Sequence, residues 1–306
     1  MLRQSIFAGL ALFLTVAPAA AQDETVSLAG VIDFHTHAGP DSRPRAMDDI
    51  EAALQFKEAG LRGMVLKNHF TMTGDRAALA MAQVDGLEIF GGVVLNRSVG
   101  GINPEMVRQM VAFEGGRGKV VWLPTFDAEH NEYRVGPDGN MAQPTPDDPV
   151  VRVLEDGEPV APLLEVFSLI GEHDLVLATG HILPDEVLAL MPAAKARGVR
   201  HVLVTHPFHQ HATVEQMHQL AAEGAVMELD WFAVHRGSYT IQDYVQVIRE
   251  VGAEHFVITS DFGQRGNPTH VEGLRAFIQA LQAEGVSEEE VDLMARRIPA
   301  RLLGLD

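Results

Sequence analysis

Short runs of apolar and β-branched residues alternate along this chain with segments whose apolar residues recur at helical spacing. That rhythm narrows the available folds more than any other feature. The strand-like runs are Gly30–His35, Gly63–Lys67, Glu88–Leu95, Lys119–Pro124, Leu175–Thr179, Val199–Thr205, Ala225–Leu229 and His255–Ser260. Helical patterns follow them in turn, at Ala46–Ala59, Asp75–Val84, Pro104–Phe113, Leu163–Glu172, Asp185–Ala196, Val214–Glu223, Ile241–Val251 and Val271–Ala283. The strands show little polar–apolar alternation, as expected of a parallel sheet covered on both faces. Repeated βα units predict an α/β chain folded as a (β/α)8, or TIM, barrel, with a doubly wound open sheet as the alternative.

The rhythm breaks once. Between the fourth strand and its helix, residues 127–162 carry Gly136-Pro137-Asp138-Gly139-Asn140 and then Pro144, Pro146 and Pro149. Within this insertion Tyr133–Val135 and Val151–Leu154 could pair as a small ribbon, with Asp156-Gly157 as another turn. An insertion leaving the C-terminal end of a strand would sit over the active-site face, as a lid or as decoration. At the other end of the chain, Ser287-Glu288-Glu289-Glu290 forms a capping box that opens a final helix to about Arg297.

Residues 1–21 read as an export leader. Arg3 is followed by the apolar stretch Ile6–Val16, and Ala19-Ala20-Ala21 suits cleavage before Gln22. The expected domain is therefore residues 22–306, periplasmic or secreted, with no membrane span. The absence of cysteine excludes disulfides, thiolate ligands, a thiol nucleophile and a lipoprotein anchor. With 42 acidic residues against 23 Lys and Arg, the chain argues against nucleic acid or an anionic membrane as a partner. It leaves a small-molecule substrate, and nothing in it excludes a homo-oligomer.

Chemistry collects at the strand ends. His35 and His37 close the first strand, and residues two apart on a strand share a face. With 14 His in 306 residues, about 0.6 His-x-His pairs arise by chance, and His209-Gln210-His211 is a second one. Position is what distinguishes the first pair, because active sites of such barrels form at the C-terminal strand ends. Lys67-Asn68-His69 end the second strand, His181 the fifth, His206 the sixth and Asp261 the eighth. Histidine nitrogens with a carboxylate suit zinc or a related divalent ion. Asp33 shares the parity of His35, which would point it into the barrel as a hydrogen-bond partner. His69 is an acid/base or substrate candidate. His209 and His211 lie in the loop after strand six. Arg43, Arg97 and Arg265, in loops on the same face, hint with Lys67 at an anionic substrate group.

In this order, His35, His37, His181, His206 and Asp261 resemble the ligand pattern of the amidohydrolase superfamily of metal-dependent hydrolases. The tail Pro299–Leu305 is also similar to that of many members. The resemblance implies a metal centre of one or two ions and hydrolysis of an amide, lactone or ester-like bond. It implies that the ion lowers the pKa of a water and polarises a carbonyl or phosphoryl oxygen. It further implies that Asp261 takes the water's proton and passes it to the leaving group. One position departs from the pattern. The fourth strand ends Trp122-Leu123-Pro124-Thr125, with no lysine or glutamate. Lys67 would serve as the bridging ligand only if carboxylated, because a protonated lysine cannot ligate; otherwise it is a cation for substrate, and Asp127 is a substitute ligand. A mononuclear decarboxylase using His206 as base, and a non-catalytic binder of metal or a small acid, are the competing readings.

Overall fold

The computed structural model describes residues 26–135 and 140–305. The expected leader, residues 1–21, and the expected turn at Gly136–Gly139 lie outside the described residues. Eight strands form one parallel sheet: β1 (Ile32–Thr36), β2 (Gly63–Leu66), β3 (Glu88–Val94), β4 (Gly118–Trp122), β5 (Val176–Ala178), β6 (His201–Val204), β7 (Val226–Asp230) and β8 (Phe256–Thr259). Each pairs with the next in chain order. Helices α1 (Asp49–Glu58), α2 (Gly74–Gln83), α3 (Pro104–Ala112), α4 (Ala161–Glu172), α5 (Pro184–Ala196), α6 (Val214–Ala222), α7 (Ile241–Val251) and α8 (His270–Ala283) connect them. The sheet closes on itself where Thr36 bridges Phe262. There the His37 amide donates to the Phe262 carbonyl at 2.9 Å and the Asp261 amide to the His35 carbonyl at 3.1 Å. This is a barrel, not an open sheet.

Alternation along the strands sorts two cores. Phe34, Val65, Phe90, Trp122, Val176, Leu203, Val226 and Val257 fill the barrel, while Met64, Leu66, Ile89, Val121 and Leu177 meet the helices. Gly92 shows how tight the inner layer is: a Cβ there would lie 2.6 Å from the Trp122 ring.

In β1 the alternation is interrupted. Asp33 pairs with Met64 and Thr36 with Leu66, so Phe34 and His35 together stand opposite Val65 alone. This bulge turns His35, and with it His37, toward the barrel axis. It also corrects the expected orientation of Asp33. Asp33 shares the outward face of Met64 and accepts from the Ser260 amide (3.0 Å) and hydroxyl on the neighbouring strand end. Parity cannot be carried through a bulge, which is why the simple count failed.

Two further expectations are corrected. The insertion's ribbons are local hairpins: Arg134–Val135 with Met141–Ala142, and Leu154–Glu155 with Glu158–Pro159. The second closes on Asp156 (φ 51°) and Gly157 (φ 81°), a two-residue turn whose left-handed geometry suits strand twist. Tyr133–Val135 therefore does not pair with Val151–Leu154, and Val151 bridges Ala128 instead. The final helix, α9, does not stop near Arg297. It runs from Glu288–Asp292 through a wide turn at Leu293–Arg297 to Ile298–Leu303. The wide turn accommodates Pro299, which lacks a backbone donor. Ile298, Leu302 and Leu303 join the inner core, and Arg62, before β2, donates to the Leu305 carbonyl. Helix α9 thus covers the strands' N-terminal end. Among the described residues no helix is long and apolar enough to cross a membrane.

Candidate metal centre

His35, His37 and Asp261 converge at the seam between β1 and β8, and all three are buried. His35 Nε2 and His37 Nε2 are 3.3 Å apart, and each lies 3.2 Å from Asp261 Oδ1. The opposite ring nitrogens are already engaged. His35 Nδ1 donates to Glu228 Oε1 at 2.7 Å, and His37 Nδ1 donates to the Lys67 carbonyl at 2.9 Å. In the neutral rings both Nε2 atoms then carry lone pairs that face each other and a carboxylate oxygen. That arrangement is repulsive until a cation or a shared proton enters it. Zinc–nitrogen bonds of ~2.0–2.1 Å at tetrahedral angles place donor atoms ~3.3–3.4 Å apart, which the observed triangle matches. The trio fits a divalent metal ion.

Burial holds the imidazoles of His37, His69, His181 and His206 well below the usual histidine pKa, with Arg45 adding to the effect on His37. Neutral rings are what metal ligation requires. Burial also raises the Asp261 carboxyl, and a dication beside it acts in the opposite sense. Asp261 (φ 49°) and His206 (φ 27°) both hold left-handed backbone, a cost that surrounding packing sustains at sites of this kind. Gly263 allows the chain after Asp261 to pass close to β1; a Cβ there would overlap the His37 carbonyl.

The remaining candidates ring this trio. His181 Nδ1 donates to Asn131 Oδ1 at 2.9 Å. Its ring lies 4.9 Å from that of His206, which lies 5.8 Å from that of His35. Among the described residues His206 Nδ1 and Lys67 Nζ are buried without a hydrogen-bond partner. Lys67 follows the inward Val65 and ends 5.6 Å above the Trp122 ring of β4. Burial pushes its amine down to about 8. His69 stacks 5.0 Å from His37 and bonds the Thr125 hydroxyl. His209 sits 4.7 Å from His206 and 3.4 Å from Asp230, whose charge overcomes burial and raises it to about 9.

Other candidates stand apart. His211 is exposed and pairs with Glu132 at 2.8 Å. Asp127 is occupied capping the Arg97 amide at 2.8 Å. Arg97 and Arg265 are exposed, and the Arg265 guanidinium donates to the Arg45 carbonyl. Arg43 lies over Phe126, which itself packs on His69 and His181.

Sequence reasoning missed Glu228 and Asp230. They lie two apart on β7, share the inward face of Val226, and are fully buried. Acids at alternate positions of an otherwise apolar strand were the available signal. Glu228 also accepts from the Thr259 hydroxyl (2.8 Å) and lies 3.3 Å from the His206 amide. Its carboxyl, which burial raises, is held below the usual range by His35 and Lys67. Arg45, ion-paired to Asp41 at 2.6 Å and 3.3 Å from His37, and Asn131, within the insertion, were also missed.

Residues 30–228 match the family of unknown function DUF6282. No curated protein matches the chain. Among solved structures it is similar to an organophosphorus hydrolase from Deinococcus radiodurans, at TM-score 0.58 and 16% identity over 91% of this chain and 93% of that one. An amidohydrolase from Burkholderia multivorans gives TM-score 0.58 at 14% identity, covering 91% and 100% of the two chains. A TatD homologue from Escherichia coli gives 0.58 at 15% identity, covering 90% and 98%. At these identities the likeness is one of fold, the TIM barrel.

Proposed function

The chain belongs to the DUF6282 family, and we propose that it is a metal-dependent hydrolase of the amidohydrolase type, cleaving an amide, lactone or ester-like bond in a small molecule. The observation that carries this reading is the 3.2–3.3 Å triangle of His35 Nε2, His37 Nε2 and Asp261 Oδ1. Imidazole nitrogens with one carboxylate favour zinc. When bound, the ion would lower the pKa of a water and polarise the scissile carbonyl.

The chain's own residues supply the rest. Glu228 and the Lys67 carbonyl fix the tautomers that aim both Nε2 atoms inward. Asp261 accepts the water's proton and returns it to the leaving group. His181 and His206 would complete the donor set, and the unpartnered Lys67 amine, which burial pushes down to about 8, would supply a further ligand once carboxylated. His69 stands where it can touch substrate. The leader-like residues 1–21 support an exported protein.

The test is purified protein reloaded with zinc, assayed for metal per chain and for turnover of lactone, ester and anilide panels, beside the His35→Ala/His37→Ala double variant. Stoichiometric metal and hydrolysis, both lost in the double variant, are expected. Release of CO2 without bond hydrolysis, or metal content unchanged in the variant, would overturn the proposal.

A further inference from the structure

The β1–α1 loop reaches across the barrel mouth. Arg43, within it, places its guanidinium 5.7 Å from the centre of the Phe126 ring. Phe126 follows β4, with β2 and β3 lying between that strand and β1. The Phe126 ring in turn lies 4.3 Å from the ring of His69 and 5.6 Å from that of His181. Arg43 is thus separated from the histidine ring by the thickness of one aromatic side chain.

Its charge is uncommitted. The acid two residues away, Asp41, is held by Arg45 at 2.6 Å, and both of those side chains are nearly inaccessible. Among the described residues no carboxylate pairs with Arg43. A cation–π contact at this distance uses the charge of the guanidinium and none of its five N–H donors, and among the described residues no side-chain hydrogen bond engages Arg43. The fork geometry matches a carboxylate, and partial burial strengthens such a bond relative to one in open water. The setting sharpens the point: a chain of net charge −19 repels small anions, so one entering this mouth needs a local cation.

We propose that Arg43 selects the substrate, and that the substrate class is a small ester, lactone or amide carrying a carboxylate near the scissile acyl group. The carboxylate docks on the N–H edge of Arg43 above Phe126, which leaves the acyl carbon to the histidine ring below. The scissile-bond part of this statement rests on the hydrolase reading; the anion site does not.

The experiment therefore reads binding separately from turnover. Zinc-loaded protein is titrated calorimetrically with glutarate and with its uncharged dimethyl ester, in the wild type and in Arg43→Met, which keeps an apolar stem over Phe126. Circular dichroism confirms that the variant is folded, and Arg43→Lys serves as a second variant that keeps charge without the fork. The expected result is that the wild type binds glutarate in preference to the diester, and that Arg43→Met weakens glutarate by about 10–100-fold while leaving the diester unchanged. Arg43→Lys is expected to fall between them. Equal glutarate affinity in wild type and Arg43→Met, or a wild type indifferent to the charge of the probe, would overturn the proposal. Loss of glutarate binding in the variant, with no ester, lactone or amide turned over by the wild type, would uphold the anion site and refute the hydrolase reading instead.

Discussion

Glu228→Gln isolates what one buried carboxylate contributes to the metal centre. Glu228 Oε1 accepts from His35 Nδ1 at 2.7 Å and from the Thr259 hydroxyl at 2.8 Å, while Oε2 lies 3.3 Å from the His206 amide. Glutamine keeps the shape but turns one end into a donor. If the NH2 faces His206, two donors oppose each other across that gap. If it faces His35, the ring is driven to the tautomer that protonates Nε2 and removes the lone pair from the site. Either way the negative charge that strengthens His35 as a ligand is gone. Losing such an orienting carboxylate weakens metal affinity by roughly 10–100-fold, or about 1.4–2.7 kcal/mol. The assay is competition with a chromogenic chelator, using metal-stripped protein refilled with zinc. The metal-free thermal midpoint should fall by no more than one mismatched buried hydrogen bond costs, about 1–3 kcal/mol, because an isosteric amide still fills the space. An affinity within threefold of wild type in a folded variant would refute the argument, and the carboxylate would then be merely a strand-packing group.

Asp261→Asn should keep much of the bound metal yet lower kcat by roughly 10²–10⁴, with KM changed far less, because an amide can ligate but cannot take a proton. Near-normal kcat with metal retained would reduce Asp261 to a structural ligand. Lys67→Ala should lose part of the metal content and regain some activity in added acetate or propionate, which can stand in for a carboxylated side chain. Unchanged metal content and no rescue would exclude the bridging role. His270, at the start of α8, is held down to about 4 from an ordinary 6.5 by burial, and it donates to the His37 and Phe262 carbonyls at 3.0 Å. As pH falls below 6.5 the unfolded chain takes the proton first, so stability present above 6.5 drains away toward pH 4. Between pH 7 and pH 5 this amounts to about 2 kcal/mol. His270→Gln, which retains a donor, should show a correspondingly smaller loss in urea melts, and an identical loss would refute the assignment.

The sequence made the barrel legible because its signal is repeated: each β-branched run sits where a strand is, with ends displaced by a residue or two. Candidate site residues that end strands, such as His35, His181 and Asp261, are legible for the same reason, since an apolar run points to its own terminus. What failed was everything that depends on neighbours. Asp33 was given the wrong face because a bulge between Asp33 and Thr36 resets parity, and bulges arise from pairing with β2. Glu228 and Asp230 sit at the end of an apolar run whose inward face only the closed barrel defines. Arg97 and Arg265 looked equivalent to Arg43 in the sequence, and only the path of the β1–α1 loop separates them.

The closure of the barrel also dictates an order of events. The bonds that join β1 to β8, from His37 to Phe262 and from Asp261 to His35, link residues more than 220 positions apart. Contacts of such separation carry the largest loop-closure cost, and their formation waits on the elements between them. The triangle that would grip the ion is made of the same residues as this seam. A nascent or half-folded chain therefore holds the two histidines without their carboxylate and has no high-affinity site to fill. Competence to bind metal arrives with the last strand, so an ion taken up at the seam would lock a finished barrel and not a folding intermediate.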